Sequence, residues 1–251
     1  MKALILAAGY ATRLYPLTEN KAKPLLEIAG RPIIDYILDK IYQIKEIKEI
    51  LVVTNNRFYH DFLAWSFSKK DARIKILNDG TLFNEDRLGS IGDINFVIKK
   101  ENIGEDLLVI AGDNLFEFSM TKFVDFFKQK SSSIVALHDL KDRNKVREKF
   151  GVAILKGDRI INFQEKPKEP KSTLASTACY LFHQDDLAFI KALVENKITD
   201  PPGLILNKII EESELNGFVF EEAWFDIGSL ENLEQAQKIY QARAFYKKED
   251  P

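Results

Sequence analysis

The 251-residue chain contains very few residues of the kinds that form disulfides and metal clusters, with one cysteine and three histidines. The lone Cys179 excludes an internal disulfide, which fits a reducing compartment, so we expect a cytoplasmic protein. His60, His138 and His183 are far apart in the sequence and lack the spacing of metal ligands. The sequence therefore predicts no disulfide scaffold and no cysteine–histidine metal site.

Long hydrophobic runs and a surplus of positive charge are also absent. The apolar start, Ala3 to Ala8, is too short for a signal peptide or a membrane-spanning helix. The net charge of −2 argues against a general nucleic-acid binder, which needs a broad basic surface. We therefore expect neither a membrane nor a nucleic acid as a partner, and any nucleotide must be held by a local group of cations.

The chain does contain an alternation of wholly apolar segments with amphipathic ones. Residues 2–6, 49–54 and 107–111 are apolar along most of their length, as strands are when both faces of a parallel sheet are covered. Apolar residues recur at helical spacing over residues 33–41, and residues 151–163 predict a β-hairpin. The pattern predicts an α/β fold, a Rossmann-like mixed but mostly parallel sheet flanked by helices, with a small β-rich lobe.

The stretch from Leu6 to Leu26 carries the clearest chemical signal. The predicted first strand ends in Ala7-Ala8-Gly9, where small side chains let backbone N–H groups face a ligand. Two cations, Arg13 and Lys23, follow at spaced positions, and such a turn suits a triphosphate. The Gly-Lys-Ser/Thr of a P-loop and the third glycine of a dinucleotide-binding loop are both missing. A strand, turn and helix with merely solvated cations is the alternative interpretation.

The whole string is more specific than its parts. The sugar-1-phosphate nucleotidyltransferases, which include glucose-1-phosphate thymidylyltransferase and mannose-1-phosphate guanylyltransferase, have a signature that resembles Gly9-x-x-Thr12-Arg13-Leu14-x-Pro16-Leu17-Thr18, followed by Lys23-Pro24-Leu25. The family usually has Gly and Pro where this chain has Ala11 and Ala22, and neither change removes a charge. The resemblance implies catalytic roles for Arg13 and Lys23. It implies that the nucleotide contacts of this stretch are Leu6, Ala8, Gly9, Thr12, Arg13 and Lys23.

Two aspartates are candidate metal ligands. Asp113 follows the apolar segment 107–111, at the strand end where α/β sheets bind ligands, and Asp226 lies in the apolar Trp224–Gly228 segment. Either carboxylate could instead cap a turn or a helix. The family has a Gly-Asp motif and a later Trp-x-Asp-x-Gly motif, and both are matched here. The resemblance implies that Asp113 and Asp226 bind Mg²⁺, that Asp113 is also catalytic and contacts the nucleotide, and that Asp226 belongs to the sugar-phosphate site.

A second binding motif follows the predicted hairpin. Glu165-Lys166-Pro167 stands just after a predicted strand, and in water a Glu-Lys pair is usually only a charged strand end. Because it comes after Phe150-Gly151-Val152, however, it resembles the family's sugar-phosphate site. The resemblance implies that Gly151 and Glu165 contact the sugar, and that Lys166 binds the phosphate and takes part in catalysis.

The loop from Asn84 to Gly89 matches the position of the family's base-recognition loop. The amide of Asn84 has both a donor and an acceptor, so it could read a pyrimidine edge, and Gly89 would let the backbone approach the base. The composition departs from the common thymidylyl pattern, and Arg87 is unexpected there. An ordinary solvated loop is the alternative interpretation.

The resemblance to this family implies a Mg²⁺-dependent enzyme that joins an NTP to a hexose 1-phosphate. We expect one domain over residues 1–251, with a nucleotide-binding half up to residue 118, a sugar-phosphate-binding half from 119, and no C-terminal extension. The expected substrates are dTTP or UTP with glucose 1-phosphate, and GTP with mannose 1-phosphate is the alternative. A molybdopterin-type nucleotidyltransferase, a glycosyltransferase and a non-catalytic nucleotide-sugar sensor are the rival classes. A homo-oligomer is possible.

Overall fold

A mixed sheet of nine strands forms the centre of the molecule. The computed structural model describes the backbone of residues 1–249 and the side chains of residues 1–243. The strands are β1 (Lys2–Leu6), β2 (Glu27–Ile28), β3 (Arg31–Pro32), β4 (Ile50–Thr54), β5 (Ile74–Asn78), β6 (Leu107–Ala111), β7 (Asn114–Phe116), β8 (Ser133–Asp139), β9 (Val152–Lys156), β10 (Arg159–Gln164), β11 (Leu174–Phe182), β12 (Leu215–Phe220) and β13 (Trp224–Asp226). The helices are α1 (Ile33–Ile41), α2 (Tyr59–Lys69), α3 (Gly89–Lys100), α4 (Met120–Lys130), α5 (Arg143–Val146), α6 (Leu187–Glu195), α7 (Gly203–Glu212) and α8 (Leu230–Glu249).

The strand order is β5-β4-β1-β6-β11-β8-β12-β10-β9. Strands β5, β4, β1 and β6 run parallel, and β11 then pairs antiparallel with both β6 and β8. Strands β8 and β12 are parallel, whereas β9 and β10 form the predicted hairpin. One continuous sheet therefore includes strands from before and after residue 118.

Helices cover both faces of the sheet, as the wholly apolar strands predicted. Successive residues of a strand point to opposite faces. In β1, Ala3 and Ile5 pack in the core formed with α1, α2 and α4, whereas Leu4 packs in the core formed with α3, α6 and α7. Both faces of β1 are thus removed from water, which is why the segment needs apolar residues at every position.

Four very short strands and the short helix α5 were not predicted from the sequence. Strands β2 and β3 pair with each other, and β7 pairs antiparallel with β13 so that Asn114 lies opposite Asp226. Segments of two or three residues contain too few positions for a hydrophobic period to be recognised. No helix within residues 1–249 is long and apolar enough to cross a bilayer.

An aromatic cluster joins β7, α4 and β12. Phe118 is fully buried, and its ring centroid lies 4.5 Å from that of Phe116 and 4.5 Å from that of Phe220. Phe123 of α4 packs against the same ring at 5.6 Å. The cluster fixes the chain directly after β7, the strand that begins one residue after the predicted metal ligand Asp113.

Replacing Phe118 by alanine should therefore destabilise the fold strongly. We expect Phe118→Ala to lower the free energy of unfolding by about 3–5 kcal/mol, because it leaves a cavity where four rings meet. Urea unfolding followed by fluorescence measures the change. Phe67, which is 77% exposed on α2, is the matched control, and Phe67→Ala should change stability by less than about 0.5 kcal/mol. A loss below about 1 kcal/mol for Phe118→Ala would contradict a packed role for the ring.

Candidate functional site

The turn after β1 is held in place by a buried asparagine. The Nδ2 group of Asn55 donates to the carbonyl of Ala8 (2.9 Å), and the Asn55 Oδ1 atom accepts from the N–H of Phe58 (3.1 Å). Asn55 is fully buried directly after the apolar strand β4. Asn55 was not among the residues predicted from the sequence. A polar residue directly after a wholly apolar strand could have indicated its role. The Ala7–Gly9 turn therefore has a fixed shape before any ligand binds.

Ala11 has the left-handed backbone conformation that favours glycine, with φ 50° and ψ 41°. Its carbonyl accepts from the Thr18 hydroxyl (2.8 Å) and from the N–H of Leu14 (2.9 Å). The conformation explains why a glycine is usual at this position of the signature, and the two hydrogen bonds keep alanine in it. The loop that carries Arg13 is thus fixed at a small cost in strain.

The predicted aspartates come together although 112 residues separate them. Asp113 follows β6 and Asp226 ends β13, which pairs with β7. The N–H of Ile227 donates to the carbonyl of Asp113 (3.1 Å), and Asn232 of α8 donates to the carbonyl of Asp226 (2.7 Å). Backbone pairing and a side chain from α8 therefore hold the two carboxylates at one place.

The charges at this place are strongly coupled. Burial, followed by the charge of Asp113, raises the pKa of Asp226 to about 6, whereas Lys23, Lys166 and Arg13 oppose that rise. The ammonium group of Lys23 forms an ion pair with Asp113. Burial alone would lower the pKa of Lys23, but the ion pair outweighs it and the pKa is raised. Five residues predicted from four separate motifs thus act electrostatically on the same site.

Three adjoining cavities surround these charges. The largest is about 540 Å³, and Arg13, Asp113 and Asp226 are among its lining residues. It also includes the whole predicted sugar-phosphate set, namely Gly151, Glu165, Lys166 and Asp226. A second cavity of about 300 Å³ is lined by Gly9, Thr12, Arg13, Lys23, Asn84, Asp113 and Asp226, among others. A third, of about 200 Å³, includes Leu6, Gly9, Lys23 and Asp113.

Two predicted nucleotide contacts, Ala8 and Gly89, line none of these three cavities. Ala8 is buried, and its carbonyl is taken by Asn55. Gly89 has φ +77°, and a Cβ atom there would lie 2.5 Å from the carbonyl oxygen of Thr199. Glycine is needed at 89 for packing against residues 199–200, and a contact of Ala8 with the nucleotide or of Gly89 with the base stays a prediction.

The residues predicted to contact the sugar, Gly151 and Glu165, are restricted by packing and by burial. A Cβ atom at Gly151 would lie 2.3 Å from the ring of Phe163, so only glycine fits without displacing that ring. Burial raises the pKa of Glu165, the nearby Lys166 opposes this rise, and Asp200 adds to it. Glu165 is thus a half-buried carboxyl group at the wall of the largest cavity.

Several residues that line the largest cavity were missed from the sequence. The Nε1–H group of Trp224 donates to Oδ1 of Asn114 (3.0 Å), and the Asn114 amide donates to the carbonyl of Thr177, which joins β13, β7 and β11. Asp200 accepts from the N–H (2.9 Å) and the hydroxyl (2.6 Å) of Ser90 at the start of α3. Further lining residues outside the predicted set are Arg87, Lys149, Ser176, Ala178, Tyr180, Pro201 and Pro202.

The donor set at Asp113 and Asp226 fits Mg²⁺. Both backbone carbonyls are already hydrogen-bonded, so the carboxylate oxygens are the groups that the two residues offer. Two carboxylates, completed by phosphate oxygens and water, match the usual Mg²⁺ site. No group of three or more His, Cys, Asp or Glu side chains suited to a metal occurs in the described part of the chain. The two aspartates are therefore candidates for a metal shared with a substrate.

Comparison with known proteins now assigns the class. A family model described as "Nucleotidyl transferase" matches residues 2–243. The chain belongs to the nucleotidyl transferase family, and the family resemblance drawn from its sequence motifs is confirmed.

Individual relatives are similar over nearly the whole chain. The bifunctional protein GlmU of Methanocaldococcus jannaschii is 30% identical over 244 residues, covering 95% of this chain and 54% of that protein. A protein of Sulfolobus acidocaldarius, provisionally named mannose-1-phosphate guanyltransferase, is 28% identical over 229 residues, covering 91% of this chain and 60% of that protein. The chain therefore spans little more than half the length of these relatives.

A solved structure confirms the fold class. A Bacillus anthracis protein, provisionally assigned as a glucose-1-phosphate thymidylyltransferase and crystallised with sucrose, aligns with a TM-score of 0.84 and 26% identity. The alignment covers 96% of this chain and 95% of that chain. The α/β architecture with a mixed sheet is thus shared over almost the full length of both proteins.

Glycine at position 11 should stabilise the protein. The left-handed conformation costs alanine about 1–2 kcal/mol, which exceeds the entropic disadvantage of glycine in the unfolded chain. We expect Ala11→Gly to raise the free energy of unfolding by up to about 1 kcal/mol in urea denaturation. Ala136→Gly in the buried strand β8 is the control and should destabilise the protein. A destabilised Ala11→Gly variant would show that the strain of alanine at this position is smaller than the entropic cost of glycine.

Proposed function

We propose that the protein transfers a nucleotidyl group from an NTP to a hexose 1-phosphate, giving an NDP-sugar and pyrophosphate. The observation that carries the proposal is the convergence of Arg13, Lys23, Asp113, Lys166 and Asp226 where the cavities meet. Three of these groups are cations, and both substrates bring phosphate groups that cations and a metal would have to hold. The adjoining cavities leave space for two substrates with their phosphates facing each other.

The reaction needs little from the protein beyond alignment and charge compensation. A phosphate oxygen of the sugar 1-phosphate forms a bond with the α-phosphorus, while the bond from that phosphorus to the bridging oxygen breaks and pyrophosphate leaves with the electron pair. A phosphate monoester has a second pKa of about 6, so the attacking oxygen is already anionic at neutral pH. A general base is therefore unnecessary, and repulsion between the phosphates forms the main barrier.

Each side chain then has a defined electrostatic task. Arg13 lines both larger cavities, so we assign it to the transferring α-phosphate and the departing pyrophosphate. Lys23 holds phosphate oxygens of the NTP, and Lys166 holds the phosphate of the sugar. In this proposal Asp113 and Asp226 hold Mg²⁺, which would offset the negative charge of the phosphates.

Glu165 and Gly151 form the proposed sugar subsite. The Glu165 carboxylate can accept hydrogen bonds from two sugar hydroxyl groups, and Gly151 leaves room for the Phe163 ring in the cavity wall. On the other side, Leu6, Gly9 and Thr12 border the proposed nucleotide subsite, and Asn84 is proposed to meet the base.

We propose dTTP or UTP with glucose 1-phosphate as the substrates. The similarity to a structure provisionally assigned as a glucose-1-phosphate thymidylyltransferase supports this choice. GTP with mannose 1-phosphate is the second candidate, and the Sulfolobus acidocaldarius relative favours it by its name. Three further statements remain predictions from the sequence: a cytoplasmic location, a homo-oligomeric state, and a nucleotide-binding half that ends at about residue 118 and is followed by a sugar-phosphate-binding half.

Pyrophosphate release in the presence of Mg²⁺ tests the proposal. The five common NTPs are each combined with the 1-phosphates of glucose, galactose, mannose and N-acetylglucosamine. We expect release that needs both substrates, and the best pair identifies the base and the sugar. Folded protein that binds nucleotide but releases no pyrophosphate with any pair would favour the non-catalytic sensor and contradict the proposal.

Arg13→Ala should lower kcat by about 10²–10³, the usual cost of removing one contact to the charge of the transition state. The KM for the sugar phosphate should change far less, because the contact strengthens only as charge develops on the transferring group. Steady-state kinetics with the best substrate pair measures both constants. Arg31, which pairs with Asp39 outside the three cavities, is the matched control, and Arg31→Ala should keep the full rate. An unchanged kcat for Arg13→Ala would remove this residue from the transition state.

A further inference from the structure

The carboxyl groups of Asp79 and Asp93 lie within hydrogen-bonding reach of each other. Asp79 directly follows β5, and Asp93 lies on α3 with only 7% of its surface exposed. Within residues 1–243, neither Oδ2 of Asp79 nor Oδ1 of Asp93 has a direct hydrogen bond to another residue, and both atoms are buried. Two buried carboxylate oxygens without partners are costly, and a proton held between the two groups would remove that cost.

The surroundings of the pair favour a neutral group. Burial, followed by the charges of Asp79 and Asp200, raises the pKa of Asp93 to about 8. Burial also raises the pKa of Asp79, with Asp86 as a further negative neighbour. Tyr10 packs nearby as a neutral phenol whose pKa is itself raised by burial. The groups that act on the pair are therefore negative or neutral, whereas the cation Arg57 acts on Tyr10.

A chain of hydrogen bonds connects the pair to the phosphate loop. Oδ1 of Asp79 accepts from the N–H (2.7 Å) and from the hydroxyl (2.8 Å) of Thr81. Since the single hydroxyl proton of Thr81 is used there, the Tyr10 hydroxyl must be the donor in its 3.4 Å contact with Thr81. Tyr10 lines the second cavity between Gly9 and Ala11.

We propose that Asp79 and Asp93 share one proton, and that the resulting pair is a positioning device for the nucleotide subsite. With the proton present, Asp93 donates to Asp79, and Asp79 keeps Thr81 and Tyr10 in place. Without it, two adjacent carboxylates repel each other, and α3 and the loop that begins at Asp79 are pushed apart. The positioning role rests on the proposed function, because it assumes that a nucleotide binds in this cavity. The shared proton does not depend on that assumption.

Asp93→Asn tests the shared proton through stability alone. The asparagine amide supplies a permanent donor to Asp79, so the variant keeps the hydrogen bond at every pH. In the wild type, the pKa of Asp93 is raised from 3.8 to about 8 on folding, so the folded protein keeps a proton that the unfolded chain releases. Wild-type stability should therefore fall as the pH rises from about 4 to about 8 and then level off. The stability of Asp93→Asn relative to the wild type should increase over the same range.

Asp125→Asn is the matched control, because it removes one exposed carboxylate from α4. Its pH profile should follow that of the wild type in urea unfolding. If Asp93→Asn also followed the wild-type profile, Asp93 would be ionised in the folded protein and the shared proton would be overturned. The same holds if added K⁺ or Ca²⁺ stabilises the wild type but not Asp93→Asn, since a cation would then occupy the place of the proton.

The positioning role has a second readout in a different pH range. Nucleotide binding depends on the folded state alone, so it should weaken only above about pH 8, where the folded pair loses its proton. Between about pH 7.5 and 9.5, the dissociation constant of the best NTP should rise about tenfold for the wild type and for Asp125→Asn. For Asp93→Asn it should stay constant over this range.

The outcomes separate the two parts of the inference from the proposed function. Equal pH dependence of nucleotide binding in the wild type and in Asp93→Asn would overturn the positioning role, even where the stability profile confirms the shared proton. Absence of nucleotide binding in the wild type at every pH would overturn both the proposed function and the positioning role. The stability measurement would still decide the shared proton.

Discussion

The site depends on the balance of charge around two carboxylates in a half-buried place. Asp113 and Asp226 are brought together by the pairing of β7 with β13, and like charges at such a position are costly unless cations lie close by. Lys23 pairs with Asp113, and Arg13 and Lys166 act on Asp226. Lys23, which would hold phosphate oxygens, is therefore oriented by one of the carboxylates that would hold the metal, while Arg13 and Lys166 lower the cost of the charge on the other.

Much of the fold could be predicted because the sheet imposes a strict rule on its strands. A strand covered on both faces has to be apolar at nearly every position, and β1, β4 and β6 show this directly in the sequence. The pairing of β7 with β13 could not be predicted, since each strand has three residues and the partners are far apart in the chain. Local pattern carries no information about such a pair.

The candidate site was predictable where short sequence motifs contain the charged residues. Arg13, Lys23, Asp113, Lys166 and Asp226 all lie in recognisable motifs, and the structure brings them together. The residues that hold them were not predictable in the same way. Asn114 accepts a hydrogen bond from Trp224, which is 110 residues away in the sequence. The carboxyl groups of Asp79 and Asp93 come into contact only because α3 packs beside the end of β5. Such contacts are products of the tertiary fold and leave no periodic trace in the sequence.

One strand forms part of the wall of two cavities. Ala178 and Tyr180 of β11 line both the largest cavity and the smaller one beside the Ala7–Gly9 turn. Ala178 sits in a bulge of the β11–β8 pairing with φ 53°. The distance between the two cavities therefore depends on the hydrogen-bonded backbone of β11, which pairs with β6 on one side and β8 on the other. A change in the bulge would therefore alter the walls of both cavities together.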